Sequence, residues 1–190
     1  MSSLKNVLII VAHPKKESFS FAMAHAYMEN VQSKGDNVEL LDLYRDTHQQ
    51  PFFTYEDANI LSADTAMKYY QDKIAKANEI VFIFPYWWGS FPAILKNFFD
   101  WNFSKDFAFK YVDSRPKGLL RGKTVKVFTT TGAPKFIYTL TGANRRAKNM
   151  MKKQIIEFCG MKLDGFYIFG GVDTSGKNTD QILDIIRTIA

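Results

Sequence analysis

The 190-residue chain is poor in cysteine and has no long hydrophobic run near its amino terminus. Its single cysteine is Cys159, which excludes an intrachain disulfide and a cysteine-based metal site, and we expect no bound metal. The apolar run at residues 7–12 is followed at once by His13 and Pro14, and is too short for a secretory signal or a membrane span. These features predict a cytoplasmic protein without membrane insertion.

The chain also lacks any stretch that would serve as a linker between domains. It has no Pro/Ser/Gly-rich segment, no low-complexity run and no internal repeat. Hydrophobic residues make up 46% of the chain and charged residues 23%, a balance that argues against disorder. We therefore predict one domain, residues 1–190.

The formal net charge of +6 allows a nucleic-acid partner, an anionic ligand, or solubility alone. Basic residues concentrate only around positions 145–153, where Arg145, Arg146 and Lys148 lie on the side of a predicted helix opposite its apolar residues. A solvated helix face is the favoured interpretation, with attraction of a dinucleotide as the second. Nucleic acid is not an expected partner, because no binding motif accompanies the charge.

Strand and helix patterns alternate along the chain. Strand patterns cover residues 4–12, 37–43, 79–84, 123–130 and 162–169. Helix patterns cover residues 19–34, 68–77, 92–101, 145–159 and 179–189. Because each crossover is right-handed and must cover a face of the sheet, this alternation predicts a doubly wound α/β fold. In such a fold, a five-stranded parallel sheet has helices on both faces, and ligands bind outside the carboxyl ends of the strands.

The loop after the first strand, AHPKKESFSFAM at residues 12–23, contains no glycine. This absence excludes the G-x-G-x-x-G dinucleotide fingerprint and a Walker A loop. Ser18, Ser20 and the free N–H groups at a helix start could hold a phosphate, since the amino end of a helix is partially positive. Either serine could equally be only a helix cap.

All three tryptophans lie between residues 87 and 101, and two of them are adjacent. Trp87 and Trp88 follow the third strand in FPYWWGSFPAILKNFFDW at residues 84–101, and adjacent side chains diverge, so one core pocket cannot easily bury both. Aromatic rings on a loop at this edge are typical of a ligand or protein interface. After the fourth strand, TTTGAP at residues 129–134 offers hydroxyl and N–H groups. A phosphate loop, an aromatic wall and an amide-rich loop at one edge together predict a flavin mononucleotide site.

Four segments make the chain resemble the flavodoxin-like NAD(P)H:quinone oxidoreductases, a family that includes mammalian quinone reductases, bacterial modulators of drug activity and ancillary subunits of potassium efflux systems. The segments are AHPKKESFSFAMA at 12–24, FPYWWGSFPAILKNFFD at 84–100, FAFKY at 107–111 and TTGAPKFIYTLTGAN at 130–144. The second is the most specific. The resemblance implies strand order 2-1-3-4-5, a homodimer, and hydride transfer from NADH or NADPH through a bound flavin to a quinone or similar flat acceptor. FMN is expected rather than FAD, because no obvious extra segment is present to hold an adenosine.

The resemblance also assigns site residues by position. Those implied to hold the flavin are His13, Ser18, Phe19 and Ser20 at the phosphates, Pro85, Tyr86, Trp87 and Trp88 along the isoalloxazine, and Thr130, Thr131, Gly132 and Ala133 at the pyrimidine end. Those implied to bind substrate are Trp88, Phe109, Tyr111 and Tyr138, with Phe109 and Tyr111 reaching over the flavin of the neighbouring subunit. Trp88 is expected against the flavin, whereas Trp87 is expected to offer its backbone, with its ring toward the dimer interface.

Tyr138 and Asn144 are the catalytic candidates that the resemblance implies. Tyr138 matches a tyrosine that steadies the negative charge of the reduced flavin. Asn144 stands where the drug-metabolising members have histidine, and an asparagine can hydrogen-bond but cannot take a proton at neutral pH, which argues against a tyrosine–histidine relay. Glu17 stands where relatives often have threonine, and we expect it to point outward because a carboxylate repels a phosphate.

Two other functions stay open at this point. An electron carrier like flavodoxin would share the fold, but such carriers are typically acidic and lack the P-x-x-W and FAFKY aromatics. A regulatory subunit that binds a membrane transporter, with reductase activity secondary, is compatible with the same residues. A phospho-receiver domain is nearly excluded, because it needs acidic residues after the first strand and an aspartate after the third, where this chain has His13-Pro14 and Pro85-Tyr86.

Overall fold

The computed structural model of the protein describes residues 4–55, 65–172 and 178–189. Its strands are β1 (Asn6–Val11), β2 (Asn37–Asp42), β3 (Glu79–Pro85), β4 (Phe109–Val112), β5 (Arg115–Gly118), β6 (Thr124–Thr131) and β7 (Lys162–Gly170). Its helices are α1 (Phe19–Ser33), α2 (Thr65–Lys76), α3 (Ala93–Asn102), α4 (Lys135–Leu140), α5 (Ala143–Asn149) and α6 (Thr179–Ile189). Helix α5 continues directly into wider π-helical turns over Met150–Ile156. The predicted single helix over 145–159 is therefore an α-helix followed by π-helical turns. Helix α4, which precedes it, was not predicted.

Five parallel strands form the main sheet, in the order β2-β1-β3-β6-β7. Since β6 and β7 are its fourth and fifth strands along the chain, the order 2-1-3-4-5 is confirmed. Strand β3 is buried over its whole length, as its continuous apolar sequence EIVFIFP predicts for a strand covered on both faces.

Two apolar cores, one on each face, fix the helices to this sheet. Helices α1 and α6 pack on the face that presents Ile9, Ile83 and Phe128. Helices α2 and α3 and the π-helical turns pack on the face that presents Ile10 and Phe82. Because both faces are covered, a ligand can reach the sheet only at its ends, and the carboxyl ends of β1, β3 and β6 lie side by side.

Strands β4 and β5 form a separate antiparallel hairpin that the sequence patterns do not predict. Its turn residues Asp113 and Ser114 both have positive φ, 50° and 61°. Gly118 closes the hairpin against the end of the π-helical turns, where a Cβ atom would lie 2.1 Å from the backbone nitrogen of Gly160. The hairpin is thus held at its base, while Tyr111 near its tip is 57% exposed.

A buried charged cluster lies at the opposite, amino end of the sheet. Lys126 Nζ is 3.0 Å from Glu79 Oε2 and 3.0 Å from the hydroxyl of Tyr27, which itself donates to Glu79 Oε1. Burial, and then the Glu79 carboxylate, raise the pKa of Tyr27 far above its ordinary value. This cluster joins α1, β3 and β6 at a place remote from the strand ends where a ligand would bind. In the described part of the chain, no helix combines the length and the apolar character needed to cross a membrane.

Candidate functional site

A cavity of about 760 Å³ opens at the carboxyl ends of β1, β3 and β6. Its volume falls within the roughly 300–1,000 Å³ that is usual for small-molecule sites. It is lined by His13, Lys15, Glu17, Ser18, Phe19, Ser20, Ala22, Pro85, Tyr86, Trp87, Thr130, Thr131, Gly132, Val172, Thr179 and Leu183. The three loops that the sequence analysis selected thus meet around one space.

Most of the residues predicted to hold a cofactor line this cavity, and the predicted substrate residues do not. Trp88, Ala133, Tyr138, Asn144, Phe109 and Tyr111 are absent from the lining. Residues that the sequence analysis missed are Lys15, Ala22, Val172, Thr179 and Leu183. The last two arrive from the start of α6, whose return to α1 no local sequence pattern reveals.

Ser18 stands at the start of α1 with an unsatisfied hydroxyl. Its backbone is extended, with φ −92° and ψ 160°, as in an N-cap, but its side chain makes no capping hydrogen bond. Its Oγ is buried and has no hydrogen-bond partner among the described residues. A buried hydroxyl without a partner is costly, and the first N–H groups of a helix have no partner within the helix. Both facts fit a phosphate group bound here, and the interpretation of Ser18 as only a cap loses its support.

His13 is fixed by the loop that it begins. The Lys15 N–H donates to His13 Nδ1 at 3.0 Å, and the Lys15 carbonyl oxygen lies 3.1 Å from the same nitrogen. Burial lowers the pKa of His13 from its ordinary value; the hydrogen bond with Lys15 opposes this, and the positive charges of Arg45 and Lys15 add to it. Burial and the two cations therefore favour the neutral ring. Nδ1 is occupied, so Nε2 is the ring nitrogen left for a ligand.

The two adjacent tryptophans have different environments. Trp87 lines the cavity, with its ring centroid 5.7 Å from that of His13. Trp88 is fully exposed and has a φ of 51°, followed by Gly89 at 75°. Hydrogen bonds of 3.0 and 2.9 Å between Trp87 and Ser90 close this two-residue turn. Within one chain it is thus Trp87 that forms the aromatic wall, in contrast to the expectation that its ring turns away and that Trp88 faces the flavin.

The loop after β6 is held from three sides and presents an open backbone. Tyr86 N–H donates to the Thr130 carbonyl at 2.8 Å, and Val172 N–H donates to the Thr131 carbonyl at 3.1 Å. The Thr131 hydroxyl donates to the Ala133 carbonyl at 2.9 Å. No atom lies within 4 Å of where a Cβ of Gly132 would be. A flat heterocycle can therefore approach this backbone closely.

Tyr138 and Asn144 lie behind the cavity wall. The Tyr138 ring packs edge-on against Tyr86, with centroids 5.9 Å apart, and burial together with Tyr138 raises the pKa of Tyr86. Asn144 Nδ2 donates to the Thr139 hydroxyl at 3.1 Å, and its buried Oδ1 has no hydrogen-bond partner among the described residues. Neither side chain borders the cavity itself.

Phe109, Tyr111 and Glu17 complete the set of predicted positions. Phe109 packs on Phe158 at 4.9 Å and edge-on against Tyr111 at 5.9 Å, on the separate hairpin. Glu17 is exposed but borders the cavity, where we expected it to point away. The structure places no residue of the hairpin in the lining of this chain's own cavity.

The strand order and the cavity at the switch point are those of flavodoxin-like α/β proteins. The family model described as the flavodoxin-like fold matches residues 5–188. An uncharacterized NAD(P)H oxidoreductase of Haemophilus influenzae is 32% identical over 173 residues, covering 88% of this chain and 84% of the relative. NAD(P)H dehydrogenase [quinone] 1 of Cavia porcellus is 30% identical over 188 residues, covering 86% and 67%.

A solved structure gives the same result for the fold. NAD(P)H:quinone oxidoreductase from Methanothermobacter marburgensis superposes with a TM-score of 0.88 at 24% identity, over 98% of this chain and 97% of that one. The chain belongs to the flavodoxin-like NAD(P)H:quinone oxidoreductase family. The resemblance drawn from the sequence segments is confirmed.

Proposed function

We propose that this protein is a flavin-dependent NAD(P)H oxidoreductase that passes a hydride from NADH or NADPH, through the flavin, to a quinone or a similarly flat acceptor. The observation that carries this proposal is the cavity itself: an unpartnered buried hydroxyl at a helix start, an aromatic wall and an open backbone loop surround one space. The two relatives whose names describe NAD(P)H oxidation support it.

In this proposal, the chain binds and orients, and the flavin supplies the chemistry of accepting a hydride from the nicotinamide and donating it to the acceptor. Ser18, His13 and the first N–H groups of α1 hold the phosphate. The N–H groups of Gly132 and Ala133, beyond the last paired residue of β6, would donate hydrogen bonds to the heterocycle, and preorganised donors of this kind stabilise negative charge there. Trp87 excludes water from one side.

We propose FMN as the cofactor. Ser18 and the start of α1 form one compact anion site, which suits a single terminal phosphate. The chain has no obvious additional segment dedicated to an adenosine. Denaturing the purified protein and weighing the released cofactor decides between FMN and FAD, and a mass equal to that of FAD overturns this choice.

We also propose that the protein is a cytoplasmic homodimer. Phe109 and Tyr111 lie outside the cavity of their own chain, and Tyr111 exposes an aromatic ring on a hairpin held only at its base. Serving the neighbouring subunit would explain both facts. Light scattering on the flavin-loaded protein tests this, and an active monomer would contradict it.

Anaerobic stopped-flow mixing tests the reaction. The flavin absorbance near 450 nm is expected to bleach when NADPH or NADH is added, and to return when a quinone follows. A flavin that binds but is reduced by neither nucleotide would favour an electron carrier. Slow reduction together with co-purification of a transporter would favour the regulatory subunit.

A further inference from the structure

Arg45 lies outside the cavity, in the turn after β2, and is fixed by three contacts. Its Nη1 donates to Asp42 Oδ2 at 2.9 Å, and its Nη2 donates to the carbonyl oxygen of Pro14. Its guanidinium carbon lies 5.8 Å from the centre of the Phe21 ring. No function assigned above uses this residue.

The Pro14 carbonyl and the Lys15 N–H belong to the same planar peptide group, so they point in opposite directions. Arg45 binds the carbonyl end of this group, and His13 Nδ1 accepts a hydrogen bond from the N–H end at 3.0 Å. A continuous chain of hydrogen bonds therefore runs from the guanidinium, through one peptide, to the imidazole.

Nδ1 has a second neighbour, the carbonyl oxygen of Lys15 at 3.1 Å. In the neutral ring, these two hydrogen bonds cannot form together. Nδ1 must be unprotonated to accept a hydrogen bond from the Lys15 N–H, and protonated to donate one to the Lys15 carbonyl oxygen. A cation on the Pro14 carbonyl polarises the peptide and makes its N–H a stronger donor, since hydrogen bonds in a chain strengthen one another. Arg45 therefore favours the bare Nδ1, which leaves the proton on Nε2.

We propose that Arg45 is a positioning residue that sets the tautomer of His13 through the Pro14–Lys15 peptide, so that Nε2–H is the donor offered to the phosphate of the cofactor. The inference rests on the proposed flavin site for its ligand, but the tautomer is a property of the protein without ligand. Arg45 and Lys15 are the charged groups that act on the His13 ring, and the carboxylate of Asp42 partly offsets Arg45. Trp87, which packs on the ring from the loop after β3, carries no charge.

Two substitutions of Arg45 separate position from charge. Arg45→Gln removes the cation. Arg45→Lys keeps it, but a single ammonium group cannot reproduce the forked contact with Pro14 and Asp42. Arg187→Gln is the matched control, because Arg187 makes the same kind of surface pair with Asp184, three residues away at 2.8 Å, and does not line the cavity.

The first measurement is the ¹⁵N spectrum of the imidazoles in the flavin-free protein, which has three histidines. His13→Asn assigns the signal. Unsubstituted protein and Arg187→Gln are expected to show a bare Nδ1 and a protonated Nε2, and both Arg45 variants are expected to show a mixture of tautomers. The second measurement is flavin titration, in which both Arg45 variants are expected to bind about tenfold more weakly and Arg187→Gln to bind normally.

The outcomes test separately the role of Arg45, the need for its exact position and the proposed flavin site. A protonated Nδ1 in the unsubstituted protein, or unchanged tautomer and flavin affinity in Arg45→Gln, overturns the role of Arg45. Recovery of both properties in Arg45→Lys overturns the positioning role in favour of simple charge. If unsubstituted protein binds no flavin, the proposed function fails, while the tautomer result still stands or falls by the spectrum. If Arg45→Gln does not fold, Arg45→Lys and the spectrum of the unsubstituted protein still test the role of Arg45.

Discussion

The ring of Trp87 lies against the ring of His13, with centroids 5.7 Å apart and planes inclined by 58°. This contact joins the end of β3 to the end of β1 and brings the aromatic wall to the side of the cavity that His13 and Ser18 line. It also uses the side chain that was expected to turn away, and leaves the neighbouring Trp88 in solvent. Substitutions of Trp87 and Trp88 should therefore have different effects on flavin binding and on stability.

Trp88→Asn is expected to stabilise the folded protein. The left-handed backbone at Trp88, followed by Gly89, is that of a two-residue turn for which Asn-Gly is the favoured pair, whereas a bulky residue with positive φ costs about 1 kcal/mol. The ring is fully exposed, so its removal costs no packing. Urea unfolding should show a gain of about 1 kcal/mol.

The same substitution should reduce turnover with quinone if the exposed ring of Trp88 contacts the acceptor. Phe52→Asn is the control, because Phe52 is 79% exposed without a positive φ and should give no gain in stability. Trp87→Ala should instead weaken flavin binding. Loss of stability in Trp88→Asn would show that the turn is not strained.

Ser18→Ala is expected to weaken flavin binding by about tenfold without lowering the stability of the flavin-free protein. The hydroxyl has no partner to lose in the absence of ligand, and its removal relieves a buried unsatisfied group. Fluorescence titration with FMN and thermal unfolding of both forms measure the two effects.

Ser33→Ala on the same helix is the control for Ser18. The Ser33 hydroxyl donates to the Asn30 carbonyl at 2.7 Å, so its loss should lower stability slightly and leave the flavin affinity unchanged. If Ser18→Ala destabilises the flavin-free protein and binds FMN normally, the serine is a structural residue and not a phosphate ligand.

The sheet could be predicted from the sequence because its strands are continuous apolar runs, as in β3, or alternating patterns, as in β2, separated by helices. The ligand edge follows from that topology. The hairpin could not: Arg115, Pro116 and Lys117 break the alternation typical of a strand, and the turn at 113–114 lacks glycine. Its base lies against Gly160, and this contact between distant parts of the chain leaves no local sequence pattern.

Within the site, residue types were easier to predict than side-chain directions. Ser18 and the loop at 130–132 were predicted because strand ends carry ligands in this fold, and His13 was predicted from the family resemblance. The turn after Trp87 has a positive φ at Trp88, and the hydroxyl of Ser18 makes no capping hydrogen bond. Neither feature can be predicted from the pattern of hydrophobic and polar residues.

Glu79→Gln is expected to lower the free energy of unfolding by about 3 kcal/mol, because it leaves the buried charge of Lys126 without its closest partner. Flavin affinity should not change, since the cluster lies at the far end of the sheet. The triple variant Glu79→Leu/Lys126→Met/Tyr27→Phe removes both charges and the buried hydroxyl that bonds to them, and should recover most of the loss. A single variant as stable as the unsubstituted protein would show that water or Asp164, 3.5 Å from Lys126, compensates fully.

Cys159 is expected to resist alkylation in the folded protein. It is buried, and burial raises the pKa of its thiol to about 12, so the reactive thiolate is scarce at pH 7. Labelling by iodoacetamide should be at least about a thousandfold slower than in urea. Above pH 9, this thiol ionises in the unfolded chain but not in the folded chain. The contribution of Cys159 to the free energy of unfolding therefore falls as the pH rises toward 12. Rapid labelling without denaturant would contradict the burial.

Subunit complementation tests whether the hairpin of one chain serves the cavity of another. Tyr111→Ala should leave the fold intact, because Tyr111 is 57% exposed, but should lower turnover with quinone. Ser18→Ala should lower turnover through loss of flavin.

If Tyr111 acts on the partner's site, a mixed dimer of the two variants contains one site with both Ser18 and Tyr111 intact. Unfolding and refolding the two variants together should then restore about a quarter of the normal activity per chain, because half of the dimers are mixed and one of their two sites works. Mixing the folded homodimers without exchange is the control. No recovery after refolding would mean that Tyr111 acts within its own chain or not at all.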